Sequence, residues 1–186
     1  MAEHVILFAG PMGAGKTTAI TTLSEIRVIE TEAPNSETDV VDKPTTTVAL
    51  DYGEITIDDE KVRLYGVPGQ QRFDFMWTII KERARGMVLL VNNDDPDPIA
   101  RCLEHLENFA ELVTAGRAVI GVSRSDLAPE PSNRAYTDAL RRAYPGAVLP
   151  VLTVDPRDER QMQTMLLTLI AIVESVDELE PLETTP

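Results

Sequence analysis

The sequence has one cysteine, one tryptophan and only 5% aromatic residues, and its 17 basic residues face 31 acidic ones. Each shortage excludes something. A single thiol, Cys102, cannot close an internal disulfide and suits a reducing compartment. It sits at helical spacing among Ile99, Leu103, Leu106 and Phe109, which reads as core. A formal net charge of −14 argues against nucleic-acid backbones or anionic membrane surfaces as main partners. No apolar run approaches the roughly 20 residues that a membrane-spanning helix needs. The N-terminus, MAEHVILFAG, has no basic region before its first apolar run, residue 2 is alanine, and the C-terminus LETTP offers no cysteine. A secretory signal, a myristoyl group and a prenyl group are therefore not expected, and a cytoplasmic protein without a direct membrane anchor is. His4 and His105 have no companions that suggest a metal or acid–base site.

What is present has the balance of one soluble domain: 186 residues, 43% hydrophobic and 26% charged. Apolar strands alternate with amphipathic helices, which predicts an α/β fold, a three-layer α/β/α sandwich on a mostly parallel sheet with one antiparallel edge strand. HVILFAG (4–10) reads as a buried central strand, followed by a helix from Lys16 to Ile26. The polar, proline-bearing stretch 31–47 reads as a long loop, and loops of that length in compact domains are usually functional. VALDYGEITI (48–57) and KVRLYGV (61–67) read as an antiparallel hairpin at the sheet edge, and 86–93, 117–123 and 147–155 as further strands. Three apolar stripes predict helices packed on the sheet: Ile99, Leu103, Leu106, Ala110 and Val113; Tyr136, Leu140 and Ala143; Met162, Leu166, Leu169, Val173 and Val176. One domain over 1–176 is expected, with 177–186 as an acidic, disordered tail.

GPMGAGKT (10–17) matches G-x-x-x-x-G-K-[ST] in full, after a strand and at the start of a helix, the context in which the motif binds phosphate. Gly10, Gly13, Ala14 and Gly15 would wrap backbone N–H groups around the anion at the helix N-terminus, with Thr18 just inside the helix. Lys16 would reach the β- and γ-phosphates, and the Thr17 hydroxyl would ligate Mg2+. A P-loop NTPase fold follows. SRSD (123–126) comes after a predicted strand, at the place where GTPases carry N-K-x-D. A carboxylate at Asp126 can accept two N–H groups of guanine, a donor pair that adenine lacks. Arg124 stands for the usual lysine and could cover the base with its planar guanidinium. Ser123 stands for the asparagine that ties this loop to the phosphate loop. The plainer alternative is a helix cap at Ser125 or Asp126. Val154 and Asp155 sit where a third base-binding loop belongs.

Together these residues resemble the Ras-like small GTPases over nearly the whole chain. KPTTTVALDYGEI (43–55) and LYGVPGQQRF (64–73) are most similar to a bacterial branch of ATP/GTP-binding proteins that includes the gliding-motility (Mgl-type) GTPases, encoded beside Roadblock-fold partners. In that frame Gly66 stands where D-x-x-G has its Mg2+-supporting aspartate, a departure that the branch shares. The resemblance implies GTP/GDP and Mg2+ as ligands, and Thr47, among Thr45, Thr46 and Thr47, as the second metal ligand and a catalytic residue with Lys16. It implies that the Gly69 N–H meets the γ-phosphate and that Gln70 orients the attacking water. The implied activity is a switch that hydrolyses GTP slowly and signals through loops 31–47 and 68–78 to a Roadblock-fold activating or regulatory partner. Arg72 is a candidate charge stabiliser or, more plainly, a surface contact, and Phe73, Phe75, Met76 and Trp77 divide between core and partner surface. Asp51 is a replacement carboxylate or, more plainly, a solvated acid on an edge strand. Two other readings compete: a non-hydrolysing guanine-nucleotide-binding module, favoured by Gly66 and Ser123, and a P-loop ATP-dependent kinase, against which no lid-like arginine cluster is found.

Overall fold

A strand with no polar residue from position 5 to 9 must be covered on both faces, and β1 (His4–Ala9) is buried at each of its six positions. The computed structural model describes residues 4–30, 50–67, 80 and 82–179. In spatial order its sheet runs β2 (Ile29–Glu30), β3 (Asp51–Ile57), β4 (Glu60–Gly66), β1, β5 (Ala84–Asn92), β6 (Ala118–Ser123) and β7 (Val151–Thr153). β3 is antiparallel to both of its neighbours, and β4, β1, β5, β6 and β7 pair in parallel. Successive residues of β1 serve opposite faces. Ile6 and Phe8 join a core built with α1 (Lys16–Leu23) and α5 (Glu159–Leu179). Val5, Leu7 and Ala9 join a second core with α2 (Pro98–Glu107), α3 (Ala110–Thr114) and α4 (Asn133–Ala143). The expected three-layer sandwich forms, with one antiparallel strand.

The differences from expectation have local causes. α1 stops at Leu23, short of Ile26, because Ser24 turns extended and its Oγ accepts the Glu54 N–H at 3.1 Å while Glu25 N donates to Glu54 O. β2 lies outside β3, so the hairpin is not the sheet edge; a two-residue strand leaves no periodic signal. The hairpin turns through Asp58 and Asp59, at φ +50° and +65°, values that suit a two-residue turn between twisted strands. The stripe from Ile99 to Val113 spans two helices, α2 and α3, rather than one. The last strand is confined to Val151–Thr153. α5 continues to Leu179, three residues past the expected boundary, and Asp177 pairs with Arg85 and, at 2.7 Å, with Arg117. Cys102 is buried, and burial pushes its thiol up to about 12, which leaves it inert at neutral pH. None of the described helices is long and apolar enough to cross a membrane. Loop 31–47 and the stretch 68–78 lie outside the described residues, and with them Thr45, Thr46, Arg72, Phe73, Phe75, Met76 and Trp77.

Leu166 is fully buried where α5 meets the sheet. Leu166→Ala should therefore cost about 2–5 kcal/mol of stability, read as a lower urea midpoint with an unchanged slope.

Candidate functional site

Parallel strands bring their carboxyl ends to one edge of a sheet, and the loops that leave those ends build a cleft there. The loop after β1 needs backbone that side chains resist: φ is +140° at Gly10, +77° at Gly13 and +93° at Gly15. α1 then starts with no side-chain cap and no acidic residue in its first turn, so its leading N–H groups are left to face an anion. α2, in contrast, is capped by Asp97, whose Oδ1 accepts the Ala100 N–H at 3.2 Å. Gly15 carries a second constraint. A Cβ there would lie 2.7 Å from Pro156 Cγ, and Thr22 Oγ1 donates to Pro156 O at 2.9 Å, so the loop after β7 is seated on the phosphate-loop helix.

Lys16 Nζ donates to the Gly10 and Pro11 carbonyls, both at 2.8 Å, and so lies folded back over its own loop. Burial pushes its pKa below the ordinary lysine value, and the Asp51 carboxylate opposes that shift. Thr17 Oγ1 donates to Asp51 Oδ2 at 2.5 Å. Asp51 is thus not a solvated edge acid: β2 covers the edge, and the carboxylate faces the first turn of α1.

A cleft of about 700 Å3 opens beside the phosphate loop and is lined by Gly13, Ala14, Gly15, Thr18, Ser123, Arg124, Asp126, Val154 and Asp155, all expected from the sequence. The same surface holds Asn92, Arg157 and Gln161, which were not. No helix begins at Ser125 or Asp126; residues 124–128 form a turn, with the Leu127 and Ala128 N–H groups on Arg124 O at 3.1 Å, so the helix-cap alternative falls. Arg124, at φ +59°, sends its guanidinium to both oxygens of Asp94, at 3.1 and 3.3 Å, and to Gly13 O at 3.3 Å. Asp126 is exposed on the wall of the cleft. Val154 is buried and its N–H is used on Val122 O, so its part is structural. The Asp155 carboxylate is committed to Arg157, whose guanidinium pulls its pKa down to about 2, and the Asp155 N–H donates to Gln161 Oε1 at 2.7 Å. Gln70, Thr47 and Gly69 lie outside the described residues.

The Ser123 departure has a counterpart next door. Ser123 is the register partner of Asn92, its hydroxyl lies 3.0 Å from Asn92 Oδ1, and Asn92 Nδ2 reaches Gly13 O at 3.4 Å. The amide that Ser123 lacks is supplied from the adjacent strand. Asn93, buried, holds the rest of the loop: its Nδ2 donates to Ala128 O at 2.6 Å and Pro131 O at 3.1 Å, and its Oδ1 accepts from Tyr136 Oη at 2.8 Å. The run NNDD (92–95) at the end of an apolar strand was the available signal for these residues; Arg157 and Gln161 left none. Asn93→Ala strands three polar groups and should cost about 1–3 kcal/mol, with faster amide exchange confined at first to residues 124–131; Tyr136→Phe should cost less.

A family model described as a conserved hypothetical ATP-binding protein matches residues 27–183, a range that begins after the phosphate loop and includes the cleft residues from Asn92 to Gln161. An uncharacterized protein of Methanocaldococcus jannaschii is 57% identical over 30 residues, 16% of this chain, and the match spans only 20% of that relative's length. Among solved structures, the G domain of the T. maritima FeoB iron transporter superposes with a TM-score of 0.59 at 16% identity, over 95% of this chain and 99% of that one, a likeness of fold. The phosphate loop and these matches agree: the chain has a P-loop NTPase α/β fold and belongs to the family of conserved hypothetical ATP-binding proteins.

Proposed function

We propose that this protein is a small GTPase switch that binds GDP and GTP with Mg2+ and hydrolyses GTP slowly on its own. Asp126 carries the choice of base. It stands on the cleft wall beside a phosphate loop, and its two oxygens match the adjacent ring and exocyclic N–H groups of guanine. Arg124, held by Asp94 and Gly13 O, offers a flat cation to the base face. The structural neighbour is by its title a G domain, which supports the same reading. The family description names ATP, and that makes an adenine-nucleotide module the second reading.

The residues present suit Mg2+. Thr17 Oγ1 and the Asp51 carboxylate are hard oxygen donors 2.5 Å apart, the donor type that Mg2+ takes beside phosphates and water. When bound, the metal would neutralise charge that develops between the β- and γ-phosphates. Lys16 would leave the Gly10 and Pro11 carbonyls for the phosphate oxygens, and the uncapped first turn of α1 would hold the β-phosphate. By its resemblance to small GTPases, Gln70 would orient the attacking water, Gly69 would meet the γ-phosphate, and Thr47 would complete the metal site. A Roadblock-fold partner acting on 31–47 and 68–78 would raise the rate by fixing Gln70.

Single-turnover assays with labelled GTP and ATP, in Mg2+ and in EDTA, test this reading. Slow, Mg2+-dependent loss of GTP alone is expected; equal turnover or binding of ATP would replace it with the second reading. Asp126→Asn removes two charge-assisted hydrogen bonds of roughly 1.5–3 kcal/mol each. GDP affinity should fall by about 10²–10⁴-fold, and xanthosine diphosphate, whose 2-oxo group accepts from an amide, should bind better than to the wild type. Gln70→Leu should abolish partner-stimulated hydrolysis while leaving GTP binding intact.

A further inference from the structure

P-loop enzymes of this kind hold the metal with the P-loop hydroxyl and with a carboxylate brought by a neighbouring strand. Here the strand position that resembles D-x-x-G has Gly66. The space over that glycine is not empty. A Cβ built on Gly66 would fall 2.9 Å from Asp51 Cβ, 2.9 Å from Asp51 Oδ2 and 2.9 Å from Ile20 Cδ1. Gly66 and Asp51 are direct register partners across β3 and β4, so their side chains would share one face and one volume. Gly53, two residues along β3 on that face, is similarly crowded: its Cβ would lie 2.8 Å from Ile20 Cγ2. These two bare positions let α1 settle close on the hairpin, and that approach puts Thr17 Oγ1 2.5 Å from Asp51 Oδ2.

The geometry points to Asp51 as the metal-positioning carboxylate of this site, moved one strand over from the position that Gly66 leaves vacant. The inference rests on the Mg2+-nucleotide reading above and says which residue of this chain serves it. The chemistry follows from the hydrogen bond. A threonine hydroxyl has one proton; given to Asp51, it leaves the oxygen lone pairs of Thr17 turned to the metal and makes that oxygen a stronger donor. The second oxygen of Asp51 stays available to a metal-held water. Gly66 is then the complement of Asp51, because a carboxylate at both positions would overfill the space and set two like charges side by side. The two positions exchange only as a pair.

The test is the release rate of N-methylanthraniloyl-GDP from the full-length protein against free Mg2+, with the Mg2+ midpoint as the readout. Asp51→Asn keeps the shape and should raise the midpoint by about 10–100-fold, the usual effect of losing a residue that orients a metal ligand. Affinity for the nucleotide in EDTA should stay within about twofold, the part a merely structural role would not spare. Gly66→Asp alone should also raise the midpoint, and Asp51→Gly with Gly66→Asp should bring it back toward the wild-type value. An unchanged midpoint in Asp51→Asn overturns the inference, as does a loss of equal size in EDTA. Wild-type release that Mg2+ does not slow overturns the Mg2+-nucleotide reading itself, and the two failures are distinct because the second shows before any variant is made.

Discussion

The register that sets Asp51 opposite Gly66 and Asn92 opposite Ser123 governs the whole site. Directly paired residues on neighbouring strands put their side chains on the same face, a few ångströms apart. A polar group lost from one strand can then be supplied by its partner with no change in the backbone. Two of the departures from the small-GTPase pattern in this chain, Gly66 and Ser123, fall at such pairs. The carboxylate expected at the end of β4 is on β3, and the amide expected at the end of β6 is on β5. Each donor reaches the phosphate loop or the first turn of α1, the segment that the missing group would serve.

The phosphate loop is held in shape from three sides before any ligand enters. Lys16 bonds back to Gly10 and Pro11, Asn92 and Arg124 both reach Gly13 O, and the loop after β7 sits on Gly15 through Pro156. Preorganisation of this kind matters because a phosphate site works by aimed N–H groups and fixed charge rather than by covalent chemistry. The base side is held by Asn93, whose buried amide fastens the 124–132 loop and the Tyr136 hydroxyl at once. Such a hub is stiff only when fully satisfied, and the described structure gives each of its polar atoms a partner.

Much of this was legible in the sequence, for stated physical reasons. The glycine-rich loop, the buried strand before it and the periodic helices are local patterns, and the sandwich follows from them. SRSD could be placed because it follows a strand of readable length. For Asp51 the sequence left two readings open, because neither the two-residue β2 beside it nor the Thr17 hydroxyl that bonds its carboxylate leaves a local signal in the chain. Asn92 was missed because its role depends on cross-strand register with Ser123, and Asn93 because its partners lie on a loop and a helix some 35–43 residues along the chain; the polar run NNDD marked the strand end but not these contacts. The helix at 99–113 was drawn as one piece because its apolar stripe keeps period across the break at Asn108 and Phe109.

A crystal structure of the protein with GDP and Mg2+ tests the account most directly. It should show guanine against Asp126, the Thr17 oxygen on the metal, and the Asp51 carboxylate within hydrogen-bond distance of Thr17 or of a metal-held water. A metal site with Asp51 turned to solvent, or a base seated away from Asp126, would contradict it.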